Sequence, residues 1–203
     1  MCKLKSAIIL KNKVFVPEYD SHTEMLEELG IKDDYLNASK TFVRVELSPD
    51  DGDVFSDIDT WELSVDQDIM PEWYDEDIYK PQVVEAVKEW AKDHIHIGVD
   101  GLKIDTGRNH YIKDCKDIQI CGSATVRYIR GSATVENICD SATVENAKGI
   151  SVIIGSEYGW TKKETLILAE NATFKDCQTR TIYQSGDWKL VSVENKNKIE
   201  KEN

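Results

Sequence analysis

The sequence has no apolar run near the roughly 20 residues that a membrane-spanning helix needs. It also has no Cys-x-x-Cys pair, no Gly-x-Ser-x-Gly turn, no phosphate-cradling glycine loop and no dinucleotide fingerprint. These absences argue against a membrane protein, a zinc ribbon, a hydrolase of the nucleophile-elbow type and the common nucleotide-binding enzymes. The N-terminus, MCKLKSAIILKNK, meets lysine too soon to be a signal peptide, so it reads as a first strand and the protein as cytoplasmic. Cysteine is scarce and odd in number (2, 115, 121, 139 and 177), which predicts reduced thiols rather than a disulfide framework. With no signal peptide expected, the glycosylation-like triplets at Asn37 and Asn171 are discounted.

A further absence is local. From Val45 to Tyr79 there is no Lys or Arg, yet 13 acidic residues. Of the 38 acids in the chain this leaves 25, against 25 bases, so one segment carries the whole net charge of −13. Charge so concentrated places a field at one surface. The segment also holds Phe55, Trp61, Trp73, Tyr74 and Tyr79, and solubility does not require aromatics.

What the sequence does have is a repeat. Residues 120–146 read ICGSATVRY, IRGSATVEN and ICDSATVEN, three nine-residue units in tandem, with Ala147 following. A fixed period dictates architecture. Ala and Val stand two apart, so they face one side of a strand while Thr125, Thr134 and Thr143 face the other. Gly122-Ser123, Gly131-Ser132 and Asp140-Ser141 are turn material. Each unit is one short strand plus a corner, and strands that short must stack to bury anything. The fold class expected is mainly β: a small N-terminal α+β domain followed by a parallel β-solenoid. Small interior residues favour a two-sided coil of 18 residues over a three-sided one of 27. Cys121 should then stack on Cys139 at one strand spacing, about 4.8 Å.

The rest of the chain supports a division into residues 1–104 (α+β), 105–194 (solenoid) and 195–203 (a charged, disordered tail). Residues 5–16 read as a hairpin and residues 21–29 as a helix, with Ser21 and Glu24 in capping-box form and Gly30 at its end. Residues 41–47 and 60–66 alternate as half-buried strands. Residues 67–80 look irregular, and Pro81 opens a helix to about His94. Residues 155–165 read as a loop thrown out of the solenoid, with 181–184 and 188–193 as final strands.

The SATV units resemble the ATV-type repeats of uncharacterised proteins from gut bacteria and their phages, and the whole chain is similar to such proteins. The resemblance implies a phage or mobile-element setting and assigns no functional residue. Left-handed β-helix acyltransferases have hexapeptide repeats, and the period of nine departs from theirs. That departure argues against an acyltransferase, and an acyltransferase-like enzyme with His110 as base, and His94 and His96 nearby, stands as the alternative reading. Acidic pentapeptide solenoids that mimic DNA differ in period too.

The principal expectation is a non-enzymatic binding protein, an inhibitor occupying a basic surface of a host defence or nucleic-acid-binding protein. Its partner-binding residues would be Asp50, Asp51, Asp53, Asp57, Asp59, Trp73 and Tyr74. Acidic charge repels phosphates, so no direct nucleic-acid ligand is expected, and no membrane, cofactor or metal. The aspartates of 50–59 do not follow the EF-hand spacing, and no third ligand accompanies His94 and His96 by spacing. Solenoid ends or faces offer a route to a homo-oligomer or a structural scaffold.

Overall fold

A computed structural model describes residues 4–49, 51–160 and 166–186. The protein is mainly β, with an N-terminal α+β region followed by a parallel β-solenoid of about four turns. Strand β1 (Lys5–Leu10) turns through Lys11-Asn12 into β2 (Lys13–Phe15), and β3 (Phe42–Ser48) and β4 (Glu62–Val65) complete a four-stranded antiparallel sheet ordered β2-β1-β3-β4. One face of this sheet packs on α1 (His22–Glu28) and α2 (Tyr35–Ala38), where Ile8, Phe42, Met25, Leu26 and Ala38 form a small core. The other face packs on α3 (Glu76–His94), where Val43, Val45 and Leu47 meet Val83, Val87 and Trp90. The alternation of β3 thus serves two cores rather than a core and solvent. Ser21 caps α1 and Gly30 follows it at φ +67°, as their sequence positions required.

Helix α3 begins earlier than Pro81. Asp75 accepts a hydrogen bond from the Asp77 amide, and Glu76 and Asp77 in the first turn suit the positive end of the helix dipole. These acids outweigh the proline, which sits within the helix on its exposed side.

The solenoid has two parallel faces. Strands β5 (Ile95–Ile97), β7 (His110–Lys113), β9 (Thr125–Arg130), β11 (Thr143–Ala147) and β13 (Ile167–Leu168) form one sheet. Strands β6 (Lys103–Ile104), β8 (Ile118–Ile120), β10 (Thr134–Asp140), β12 (Val152–Trp160), β14 (Thr173–Asp176) and β15 (Thr181–Gln184) form the other. Both sheets take their first strands from before residue 105. In the regular part Thr143 pairs with Thr125 and Val144 with Val126, an 18-residue coil. Nine interior residues of the repeat (Ala124, Val126, Ile129, Ala133, Val135, Ile138, Ala142, Val144 and Ala147) are fully or almost fully buried.

The corners fall every nine residues at Gly122, Gly131, Asp140 and Gly149, all at positive φ. At Gly122 a Cβ would lie 2.3 Å from the Asp105 carbonyl oxygen, so there the close coil-to-coil approach needs glycine. Carboxylates clip neighbouring coils at these corners. Asp114 accepts from the Ser132 amide and hydroxyl, Asp140 from the Gly122 amide, and Glu170 from the Gly149 amide. The bond from Ser132 holds the Asp114 carboxyl below its usual range.

Three expectations need correction. Cys121 and Cys139 do stack, with Cα atoms 4.8 Å apart, but as a disulfide rather than two thiols. Residues 155–160 are not an extruded loop. Strand β12 continues to Trp160, which is buried, donates Nε1–H to the Ala142 carbonyl at 2.7 Å, and packs edge-on against Phe174. One large ring there fills the volume that Ala and Val fill in the regular units. Strand 181–184 exists but runs antiparallel to β14. The expected strand 188–193 and the tail 195–203 lie outside the described residues.

The two halves share one core. Tyr111 and Tyr128 point outward from successive coils, stack with centroids 6.0 Å apart, and pack with Trp90, Val83 and Val45. Polar contacts surround this patch: Asn109 Nδ2 donates to the Glu18 carbonyl and to Asp20, while Arg127 donates to Asn109. Lys5 is fully buried, paired with Asp20 at 2.7 Å and held over the Trp90 ring.

Val135 lies 1% exposed at the centre of the stack, between Ile118 and Ile153. Val135→Asp would bury an unpaired charge and is expected to prevent the solenoid from folding, whereas Val135→Ala should cost about 2 kcal/mol. Urea unfolding followed by circular dichroism measures both. A cooperatively folded Asp variant would show that this face is not the interior.

Candidate functional site

The acidic segment is built into the fold more fully than its sequence suggests. Asp50 lies outside the described residues. Asp51 accepts from the Asp53 amide and Asp57 from the Asp59 amide, so both carboxylates shape the loop's backbone. Asp53 accepts from the Phe55 amide and pairs with Arg130 of the solenoid at 3.1 Å. Asp59 pairs with Lys88 of α3 at 2.7 Å. Bases absent from the segment itself are therefore supplied from other parts of the chain.

The aromatics are also used internally. Trp73 donates Nε1–H to the Lys40 carbonyl at 2.7 Å and meets Tyr79 edge-on, while Tyr74 stacks on Tyr79. The Tyr79 hydroxyl donates to the Lys11 carbonyl. Burial pushes the Tyr74 phenol up, with Glu76 and Asp75 adding to it. Trp73, Tyr74 and Tyr79 tie the segment to the hairpin and to β3.

The exposed apolar residues of this domain lie both outside the acidic segment, at Tyr35 and Leu36, and within it, at Met70 and Ile78. Tyr35 and Leu36 of α2 are 73% and 60% exposed, and Met70 is 45% exposed. Between α2 and the strand end after β4 runs a groove of about 650 Å³, lined by Asp33, Asp34, Tyr35, Arg44, Asp68 and Ile69. Gln67 fixes its floor, donating to the Ile69 and Phe42 carbonyls and accepting from the Arg44 amide. The sequence offered a signal for this surface in Tyr35 and Leu36, two large side chains in a four-residue helix too short to bury both faces.

His94, His96 and His110 come together, as the alternative reading required. Their rings stack in a ladder with Trp90: Trp90 to His94 at 4.6 Å, His94 to His110 at 5.2 Å and His110 to His96 at 5.6 Å. His94 Nδ1–H donates to the Trp90 carbonyl and His110 Nε2–H to the Thr106 carbonyl. His110 Nδ1 is then an acceptor facing His96 Nε2 at 3.4 Å. Lone pairs lie in the ring planes, and near-parallel planes do not converge on one point, so the ladder is a poor metal site. Burial lowers all three pKa values, that of His96 to about 4, with His110 and His94 adding repulsion there. The ladder is a set of neutral rings joining α3 to the first coil. No family model, curated protein or solved structure matches the chain.

The ladder predicts a pH dependence. An unfolded chain protonates these rings as pH falls below about 6.5, whereas folded His96 resists until about 4. Stability is thus complete above about 6.5 and lost as pH drops toward 4. Asp93, Glu18 and Lys5 contribute smaller, mixed effects. Melting temperatures of the wild type and His96→Gln, compared across this window, should converge at acid pH. A constant difference would show that the ring does not titrate in this way.

Proposed function

We propose that the protein is a non-enzymatic binding protein whose α+β domain engages a basic protein surface. The observation that carries this reading is the exposed group Tyr35, Leu36 and Met70, set beside the carboxylates of Asp33, Asp34 and Asp68. Asp33 pairs with Arg44 and Asp34 with Lys32 at the surface, and Asp68 adds a further carboxylate. Apolar anchors beside such acids suit a partner whose charge is opposite, with the charges speeding encounter and the apolar side chains slowing release. Basic surfaces of this kind are what nucleic-acid-binding proteins expose, so an inhibitor of such a host protein is the expected role. Asp51 and Asp57 of the 50–59 loop extend the acidic field; Asp53 and Asp59 act chiefly within the molecule. The disulfide-linked solenoid serves as the rigid base.

The test is retention of proteins from the natural host by immobilised wild type and by Tyr35→Ser/Leu36→Ser. A basic protein held by the wild type, released by salt and lost from the double variant is the expected result. Equal retention by both would remove this surface from the reading.

The convergence of His94, His96 and His110 favours a second reading, an enzyme working at the domain junction. Rapid acylation of His96 or His110 by diethyl pyrocarbonate at neutral pH would support it, and protection of both rings would argue against it.

A further inference from the structure

Beneath the N-terminus of α1 lie three side chains that no sequence motif connects: His22, Glu46 of β3 and Asp66, just beyond β4. Their ligating atoms all lie within 4.8 Å of one another. His22 is 8% exposed and Glu46 7%. His22 Nε2 lies 3.1 Å from the Val45 carbonyl, which can only accept, so this nitrogen carries a hydrogen. In the neutral ring Nδ1 then holds a lone pair, and it faces Asp66 Oδ2 at 3.1 Å, another acceptor. Two acceptors at that distance need a cation between them, either a proton on the ring or a metal ion.

Glu46 decides in favour of the metal. Among the described residues its carboxylate has no hydrogen bond and no ion pair; the residue is more than nine-tenths buried, and its oxygens keep only a narrow contact with solvent. An anion with little solvent and no partner is costly. A proton on His22 would serve Asp66 and leave Glu46 uncompensated, whereas a divalent ion at the shared point would neutralise both carboxylates. Directly opposite Glu46 on β1, on the same face, Ser6 buries a hydroxyl that also has no partner among the described residues.

We propose that His22, Glu46 and Asp66 form a binding site for a divalent transition-series cation, with zinc as its probe. One imidazole and two carboxylates are a suitable donor set for zinc. Ligand bonds of about 2.0–2.2 Å place two donors of one ion roughly 3–3.5 Å apart, which matches the 3.1 Å between Nδ1 and Oδ2, while the Glu46 oxygen, within 4.8 Å, would close in on binding. The bond from Nε2–H to a backbone carbonyl is the outer contact that commonly fixes the tautomer of a metal-ligating histidine. Three protein ligands leave a coordination position for water, and the site opens into a crevice lined by Tyr19, Glu24, Arg44, Arg108 and Arg127. Of the bases in that crevice, Arg44 is paired with Asp33.

Isothermal titration of the oxidised, chelator-treated full chain with zinc chloride tests the site, with melting temperature as a second readout. One equivalent is expected to bind and to raise the melting temperature. His22→Asn and Glu46→Gln should each weaken binding by more than the roughly tenfold to hundredfold that losing an outer-shell partner costs. Without zinc, Glu46→Gln removes a buried charge and should melt at or above the wild type. With excess zinc the order should reverse, a sign change that a purely structural role for Glu46 would not produce. An absence of binding would overturn the proposal and leave the His22–Asp66 contact as a hydrogen bond within the protein. Binding retained in both variants would overturn it as well, by placing the ion elsewhere, and His96→Gln would then test the histidine ladder.

Discussion

The structure depends on covering one outward face of the solenoid. Interior packing is repetitive and could propagate through any number of coils, but the outer face is not uniform. The first SATV unit ends in Arg127-Tyr128, where the next two end in Glu-Asn. Tyr128 stacks on Tyr111 of the preceding coil, and two exposed aromatic rings on a flat sheet would be an adhesive patch. The α+β sheet and α3 close over it, and Trp90 meets Tyr111 edge-on. One coil further on, the residue in register with Tyr128 is Asn146, half-exposed, and the covering ends. The departure of the first unit from the repeat thus marks where the other half of the molecule docks.

That docking explains the polar contacts around it. Burial beside an aromatic ring lowers the Lys5 pKa despite the pairing with Asp20, so the lysine is held against its solvation preference. Asp20 is kept in place by Asn109, which in turn receives Arg127. Asp53 and Arg130 close the opposite side of the patch. Removing one partner from such a network costs more than the pair contributes, because the other is left charged and poorly solvated. These contacts specify how the halves dock, and the ring packing supplies most of the energy.

The interior of the solenoid was legible because its period is short and its code binary. Ala, Val and Ile at fixed places gave the inward face, and the small size of Ala and Val gave the 18-residue coil. The helix that ends at His94 was legible but its start was not, since a capping aspartate and two first-turn acids overrode a proline. Cys121 and Cys139 were legible as neighbours, while compartment arguments pointed away from the bond that their stacking permits. Trp160 could not be assigned, because a single large ring replaced a repeat unit with no resemblance to it.

The candidate sites were harder to read for a related reason: charge and ligation depend on pairs far apart in sequence. The acidic segment has no base within it, yet Arg130 and Lys88 reach Asp53 and Asp59 once the chain is folded. His22, Glu46 and Asp66 stand 24 and 20 residues apart on three different elements, and only the pairing of β3 with β4 and the seating of α1 bring them together. The same alternation that placed Val43, Val45 and Leu47 toward α3 turned Glu46 toward α1. A carboxylate on that face is unexpected if the face serves only to pack Phe42 and Ile8 against Met25 and Leu26. Polar residues that interrupt a strand's buried face therefore deserve the scrutiny usually kept for conspicuous surface charge, because burial makes their lack of a partner costly.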